Sequence, residues 1–195
     1  MVSPAPADPP PDLHSRTLPI ELLGVGHTIY RIHKTSNPPK FFGRSGDWRF
    51  DAPDRKYGVL YAATTPAAAF AETLLRGPGG FVAISELETR SLCKFTVVQE
   101  IALVPIYGPH LFTLAATAAV TSGPYGTSQR WSEALWTHPK EPHGVIYRAT
   151  HDNNKMAVAL FDRVVTMIDD GESTPLLDDT KLLGRILDEY RAAVR

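Results

Sequence analysis

The chain has 195 residues, 43% of them apolar and 21% charged, which excludes a disordered chain and fits one folded domain with a real core. Lys plus Arg number 20 against 21 Asp plus Glu, so nothing in the charge supports a dedicated nucleic-acid binder, which would carry a basic excess. A single cysteine, Cys93, forbids an intrachain disulfide framework, and no apolar run reaches the roughly 18 residues of a membrane span, so a cytoplasmic protein is expected.

The opening MVSPAPADPPPD is proline-rich and lacks the basic-then-apolar order of a signal peptide. Residues 1–20 are expected to form a flexible, polyproline-like tail, with 21–195 as one domain. Residues 26–33 (GHTIYRIH) alternate as a strand does, with Ile29 and Ile32 as core candidates. Residues 34–56 are irregular, punctuated by Asn37-Pro38-Pro39, Gly43, Gly46, Asp51, Pro53 and Asp54. So long a loop tends to be functional. It carries Phe41, Phe42, Trp48 and Phe50 with Arg44, Arg49 and Arg55, a set that suits either a ligand's ring and phosphates or a loop packed down on its own aromatics.

Residues 57–63 read as a short buried strand. Thr65 stands where an N-cap is wanted and Pro66 at the first helical position, where its missing N–H is no loss. The Ala-rich helix that follows is apolar on almost every side, which predicts burial, and Gly77 with Pro78 stops it. Residues 81–87 suit a short helix or strand, 92–106 a strand or a hairpin pair, and 111–120 a helix. After a turn at 122–126, Thr127 or Ser128 is expected to cap a helix through Trp136. Residues 144–149 and 156–161 predict two late strands around a His151–Asn154 turn, and 176–194 an amphipathic C-terminal helix beyond a polar segment. Strands and helices mix without strict alternation, so the expected class is α+β, a single domain with a mixed central sheet.

The chemistry is narrowed by elimination. Seven histidines lie scattered with no HxxxH or HExxH spacing, so no metal site is expected. No GxxxxGK[ST], GxGxxG or GxSxG occurs, which removes P-loop, dinucleotide-fold and hydrolase-elbow patterns. Cys93 lies in an apolar run and reads as a small buried hydrophobe. What remains is arginine, tyrosine and one glutamate. Arg31 follows Tyr30 on a strand, where it suits either an edge ion pair or a site residue. Tyr61 suits either a core tyrosine or a site residue. Glu72 and Arg76 stand four apart, in the order of a helix-surface ion pair worth a few tenths of a kcal/mol. Against that, a carboxylate in an apolar helix is expensive unless a cation, donor or ligand meets it.

Tyr30-Arg31, the glycine loop GRSGDWRF, the block GVLYAATTPAAAFAET, GTSQRW, and GVIYRA before an apolar strand occur in an order that resembles the RES-domain family over roughly residues 25–165. The most specific part is the strand–helix block with its YxA…AxxE pattern. The resemblance implies a fold like that of ADP-ribosyltransferases and the toxin role of a RES–Xre toxin–antitoxin module. It implies degradation of NAD+ by phosphorolysis or hydrolysis, with NAD+ as substrate rather than cofactor, inorganic phosphate as a possible co-substrate, and an Xre-like antitoxin as partner. By position it assigns Arg31, Tyr61 and Glu72 as catalytic, with Arg49 or Arg44 as the loop arginine and Tyr30 beside the substrate. Thr127 or Ser128 falls near a polar residue that helps hold the dinucleotide. One departure is visible: many members have serine in a Tyr-Arg-Ser-Arg late strand, where this chain has Tyr147-Arg148-Ala149-Thr150.

On this resemblance Glu72 would stabilise the oxocarbenium-like charge that develops on the nicotinamide-side ribose, and the arginines would grip the pyrophosphate bidentately. Two other classes remain open at the level of sequence. One is a mono-ADP-ribosyltransferase that passes ADP-ribose to a protein. The other is a non-catalytic binding module in which Glu72 is only the partner of Arg76.

Overall fold

A computed structural model describes residues 8–75 and 80–195. Leu13, in a 3-10 turn at Leu13–Ser15, and Leu18 are both buried, in one apolar cluster with Phe50, Tyr57 and Trp131. The expected tail over 1–20 is therefore too long: its second half is docked, because two leucines find apolar surface to cover. Strand β1 (Glu21–Leu23) and strand β2 (Thr28–Lys34) follow, then the irregular stretch, then β3 (Val59–Ala63). Helix α1 (Pro66–Leu74) starts as its sequence requires, with the Thr65 hydroxyl accepting the Ala68 N–H at 3.2 Å and Pro66 in the first turn. Gly77, Pro78 and Arg76, and with them the expected helix stop and the Glu72–Arg76 pair, lie outside the described residues.

The stretch expected as helix or strand is both, β4 (Phe81–Val82) then α2 (Ile84–Glu88). Strands β5 (Arg90–Thr96) and β6 (Ile101–Ile106) are separate and do not pair with each other, so the hairpin alternative for 92–106 is corrected. The helix expected over 111–120 is broken into α3 (His110–Leu114) and α4 (Ala119–Ser122), since Ala115 takes a left-handed conformation at φ 54° that no α-helix can continue through. Helix α5 (Tyr125–Trp136) begins after Pro124, which places Thr127 and Ser128 inside it rather than at its cap. Strands β7 (Gly144–Arg148) and β8 (Met156–Phe161) stand where expected.

The polar segment Glu172–Pro175 is an exposed edge strand, β9, recruited by the open side of β5. Helix α6 spans only Thr180–Glu189, shorter at both ends than the expected 176–194. Asp179 caps it by accepting the Leu182 N–H, and Arg191, at φ 49°, turns the chain so that β10 (Ala193–Val194) pairs with β4.

The expected α+β class with one mixed sheet is found. Eight strands run in the order β1-β6-β7-β8-β3-β2-β5-β9, antiparallel except for β6 and β7. That parallel pair is joined by the long crossover through α3, α4 and α5, as parallel strands require. Two helical groups cover the same face. One apolar cluster joins α5 to β3, β7 and β8, and another joins α1 and α6 to β2 and β5. Between them lies the weakest seam of the sheet: β2 and β3 share a single register pair, Tyr30 with Ala63, among the described residues. Among the described residues no helix is long and apolar enough to cross a membrane.

Candidate active site

A cleft of about 500 Å³ opens at that seam. Successive strand residues point to opposite faces, yet Tyr30, Arg31 and Ile32 of β2 and Tyr61, Ala62 and Ala63 of β3 all line it. The cavity opens where the ladder between β2 and β3 is reduced to one register pair among the described residues. From α1 it takes Ala69, Glu72 and Thr73, which share one helix face at spacings of three and four. Ala67, Ala68, Ala69, Phe70 and Ala71 are all buried, and the helix expected to be buried all round opens to the cleft at the half-buried Glu72 and Thr73. Glu72 accepts the backbone N–H of His151 at 3.1 Å, which ties α1 to the turn between β7 and β8.

Arg31 is half-buried and donates to the Phe41 carbonyl at 3.1 Å; burial pushes its pKa down from the usual arginine value. Arg49 enters from the long loop. One guanidinium nitrogen donates to the Gly123 carbonyl at 2.9 Å and the Ser128 hydroxyl at 3.2 Å, and the group stacks 4.7 Å over the Tyr125 ring. Arg90 and Lys34, which face each other across β5 and β2, add positive charge to the lining, Arg90 with Glu86 as its ion-pair partner at 2.8 Å. Four cationic side chains against one carboxylate make a lining suited to an anion such as a pyrophosphate.

Tyr61 has a more defined place than its sequence suggests. Its hydroxyl donates to Asp51 Oδ1 at 2.9 Å and accepts the Phe50 N–H at 2.9 Å. Burial first, and the neighbouring Asp51 carboxylate second, push its pKa well above the usual tyrosine value. The ring, rather than the hydroxyl, is what Tyr61 offers a ligand. Asp51 is fully buried, and its other oxygen accepts from Ser45 Oγ at 3.1 Å, Gly46 N at 3.1 Å and Trp48 N at 3.3 Å. One carboxylate thus shapes the loop that presents Arg49. The loop is pinned further by Gln129, which donates to the Gly46 and Trp48 carbonyls, and by Ser132, which donates to the Phe50 carbonyl at 2.6 Å.

Five expected residues meet in the cleft: Tyr30, Arg31, Arg49, Tyr61 and Glu72. Three do not line it. Arg44 is drawn away into an ion pair with Asp162 at 2.6 Å, so of the two loop arginines Arg49 is the one that lines the cleft. Ser128 is fully buried behind Arg49 and acts on the cleft only by accepting its N–H; Thr127 is buried beside it. In the late strand, Ala149 is buried in the core while Thr150 lines the cleft. Cys93 is buried and burial pushes its thiol up, which fits the packing role expected of it.

The long-loop Asp51, read from sequence as turn punctuation, is the residue that pattern reasoning missed most clearly. Its burial is a tertiary fact with no local signature. Trp48, Tyr125, Tyr147 and His151 also line the cleft. For Trp48 the aromatic–arginine loop was a signal; for Tyr125 and His151 there was none.

These features sit within a recognised domain. Residues 28–179 match the RES domain, and the chain belongs to that family; every cleft residue falls inside the matched span. The protein named Probable toxin y4kH, from Sinorhizobium fredii, is 29% identical over 121 residues, which is 61% of this chain and 94% of that protein. A chain of the M. tuberculosis MbcT-MbcA toxin-antitoxin complex shares the fold at a TM-score of 0.61 with 13% identity, over 83% of this chain and 91% of that one.

Proposed function

We propose that this protein is the enzymatic toxin of a toxin–antitoxin pair, and that it degrades NAD+ by cleaving the nicotinamide–ribose bond. The observation that carries this reading is the meeting of Glu72 with Arg31 and Arg49 in one cleft walled by Tyr30, Tyr61 and Tyr147. Arginine forks hold the pyrophosphate, and aromatic faces take the flat rings. The C1″–N bond breaks and its electron pair stays on the ring nitrogen, so nicotinamide leaves neutral and no strong general acid is needed. The ribose acquires oxocarbenium-like charge, and the fixed Glu72 carboxylate stabilises it through the ribose hydroxyls. An oxygen of inorganic phosphate or of water then bonds C1″; with water, a proton passes to solvent. NAD+ is consumed as a substrate, and no resident cofactor takes part.

Support for the toxin role comes from the family and from two similar proteins, one named a probable toxin and one from a toxin-antitoxin complex. The partner is a cognate Xre-like antitoxin, and the site of action is the cytoplasmic NAD+ pool. The test is product analysis of the purified chain with NAD+ labelled in its ADP-ribose part, with and without phosphate. Free nicotinamide with ADP-ribose 1″-phosphate or ADP-ribose is the expected result. Label retained on a polypeptide would move the assignment to a protein ADP-ribosyltransferase, and intact NAD+ would overturn it.

A further inference from the structure

Two large aromatic side chains, Trp48 and Tyr125, line the cleft while remaining 45% and 44% exposed. Exposed aromatic surface of that size in a cavity is where a flat ring gains most by stacking. The main chain that presents Trp48 is held before any ligand arrives: its backbone N–H is bound by Asp51 and its backbone carbonyl by Gln129. Tyr125 opens α5 and lies under the Arg49 guanidinium at 4.7 Å, which is itself fixed by Gly123 and Ser128.

We infer that Trp48 and Tyr125 form the subsite for the adenine ring of the dinucleotide. The inference rests on the NAD+ reading above and adds the direction in which the substrate lies. Charge decides between its two rings. The nicotinamide ring of NAD+ is cationic, and a place beside the fixed Arg49 cation repels it. Adenine is neutral and electron-rich, and it gains from both the aromatic faces and the guanidinium plane. The bond to be cleaved must also lie at Glu72, on α1, whereas Trp48 and Tyr125 belong to the loop and helix that build the other wall. The dinucleotide therefore runs from adenine on the α5 side, over Arg49 at the pyrophosphate, to the nicotinamide ribose at α1.

The test compares NAD+ with nicotinamide mononucleotide, which has the scissile bond but no adenylate. Trp48→Ala or Tyr125→Ala should lower the preference (ratio of kcat/KM) for NAD+ over the mononucleotide by roughly 5- to 150-fold, the range of one lost base–aromatic stack. Trp48→Phe should restore most of it. Calorimetric titration with AMP, which needs no turnover, should show a Kd raised by a similar factor in the alanine variants. Equal losses on both substrates, or AMP binding that ignores both substitutions, would overturn the subsite. If the wild-type chain leaves NAD+ intact yet binds AMP through Trp48 and Tyr125, the subsite stands and the proposed reaction falls. If NAD+ is cleaved and the ratio is unmoved, the reverse holds.

Discussion

Replacing Asp51 by asparagine probes how the loop carrying Arg49 is held. The carboxylate is fully buried and accepts four hydrogen bonds: Tyr61 on one oxygen, and Ser45, Gly46 and Trp48 on the other. Asparagine keeps the shape but offers one accepting oxygen. Turned to serve the three loop donors, it presents its NH₂ to the Tyr61 hydroxyl, which already accepts from Phe50 N–H. The hydroxyl proton is then left without an acceptor. Losing one bond to a charged acceptor costs about 1.5–3 kcal/mol, and the three remaining bonds weaken with the charge, so a total of about 2–4 kcal/mol is expected. For a chain of this length that is a fall in Tm of roughly 4–16 °C, read by thermal or urea denaturation. Tyr61→Phe removes the same hydroxyl, so the two changes should not add; the double variant should recover about 1–2 kcal/mol relative to the sum. A Tm within about 1 °C of wild type for Asp51→Asn, or strict additivity, would refute this account.

Glu72→Gln retains an oxygen for the His151 N–H and removes only the charge, so the fold should persist while kcat for NAD+ cleavage falls about 10²- to 10³-fold; an unchanged rate would remove Glu72 from the chemistry. Arg49→Lys loses the planar fork that serves Gly123 and Ser128 and the stack on Tyr125, and KM for NAD+ should rise about tenfold as measured by steady-state kinetics. His33 and His143 are both held below the usual imidazole range, chiefly by burial. The His33 Nδ1 faces the Lys34 and Asn37 carbonyls, so its Nε2 accepts from Ser173, and His143 Nδ1 accepts from Ala102 N–H. The unfolded chain therefore binds more protons, so the stabilisation is present above about pH 6.5 and is lost as pH falls through that value, by up to about 1.4 kcal/mol per unit for each ring. Tm should drop between pH 7.5 and 5.5, and the drop should shrink in His33→Gln; a flat profile in the wild type would contradict the argument.

Local chemistry determined much of this protein. The alternation in 26–33, Thr65 before Pro66, and the apolar runs at 57–63, 144–149 and 156–161 each act within a few residues, and β2, β3, α1, β7 and β8 stand where those patterns predict. Arg31, Tyr61 and Glu72 were legible as candidates because a charge or hydroxyl in apolar surroundings is conspicuous. Only the tertiary structure decided how they meet. The partners of β5 and β6 lie far along the chain, so pairing, not propensity, kept them from forming a hairpin and drew the polar Glu172–Pro175 into the sheet. That Arg49 and not Arg44 lines the cleft goes with Asp162, more than a hundred residues from Arg44, and the role of Asp51 rests on a burial that no neighbour in sequence announces. A cleft formed where two strands pair at a single register position is a property of the assembled sheet, because hydrogen bonds left unmade between β2 and β3 carry no mark in either strand alone.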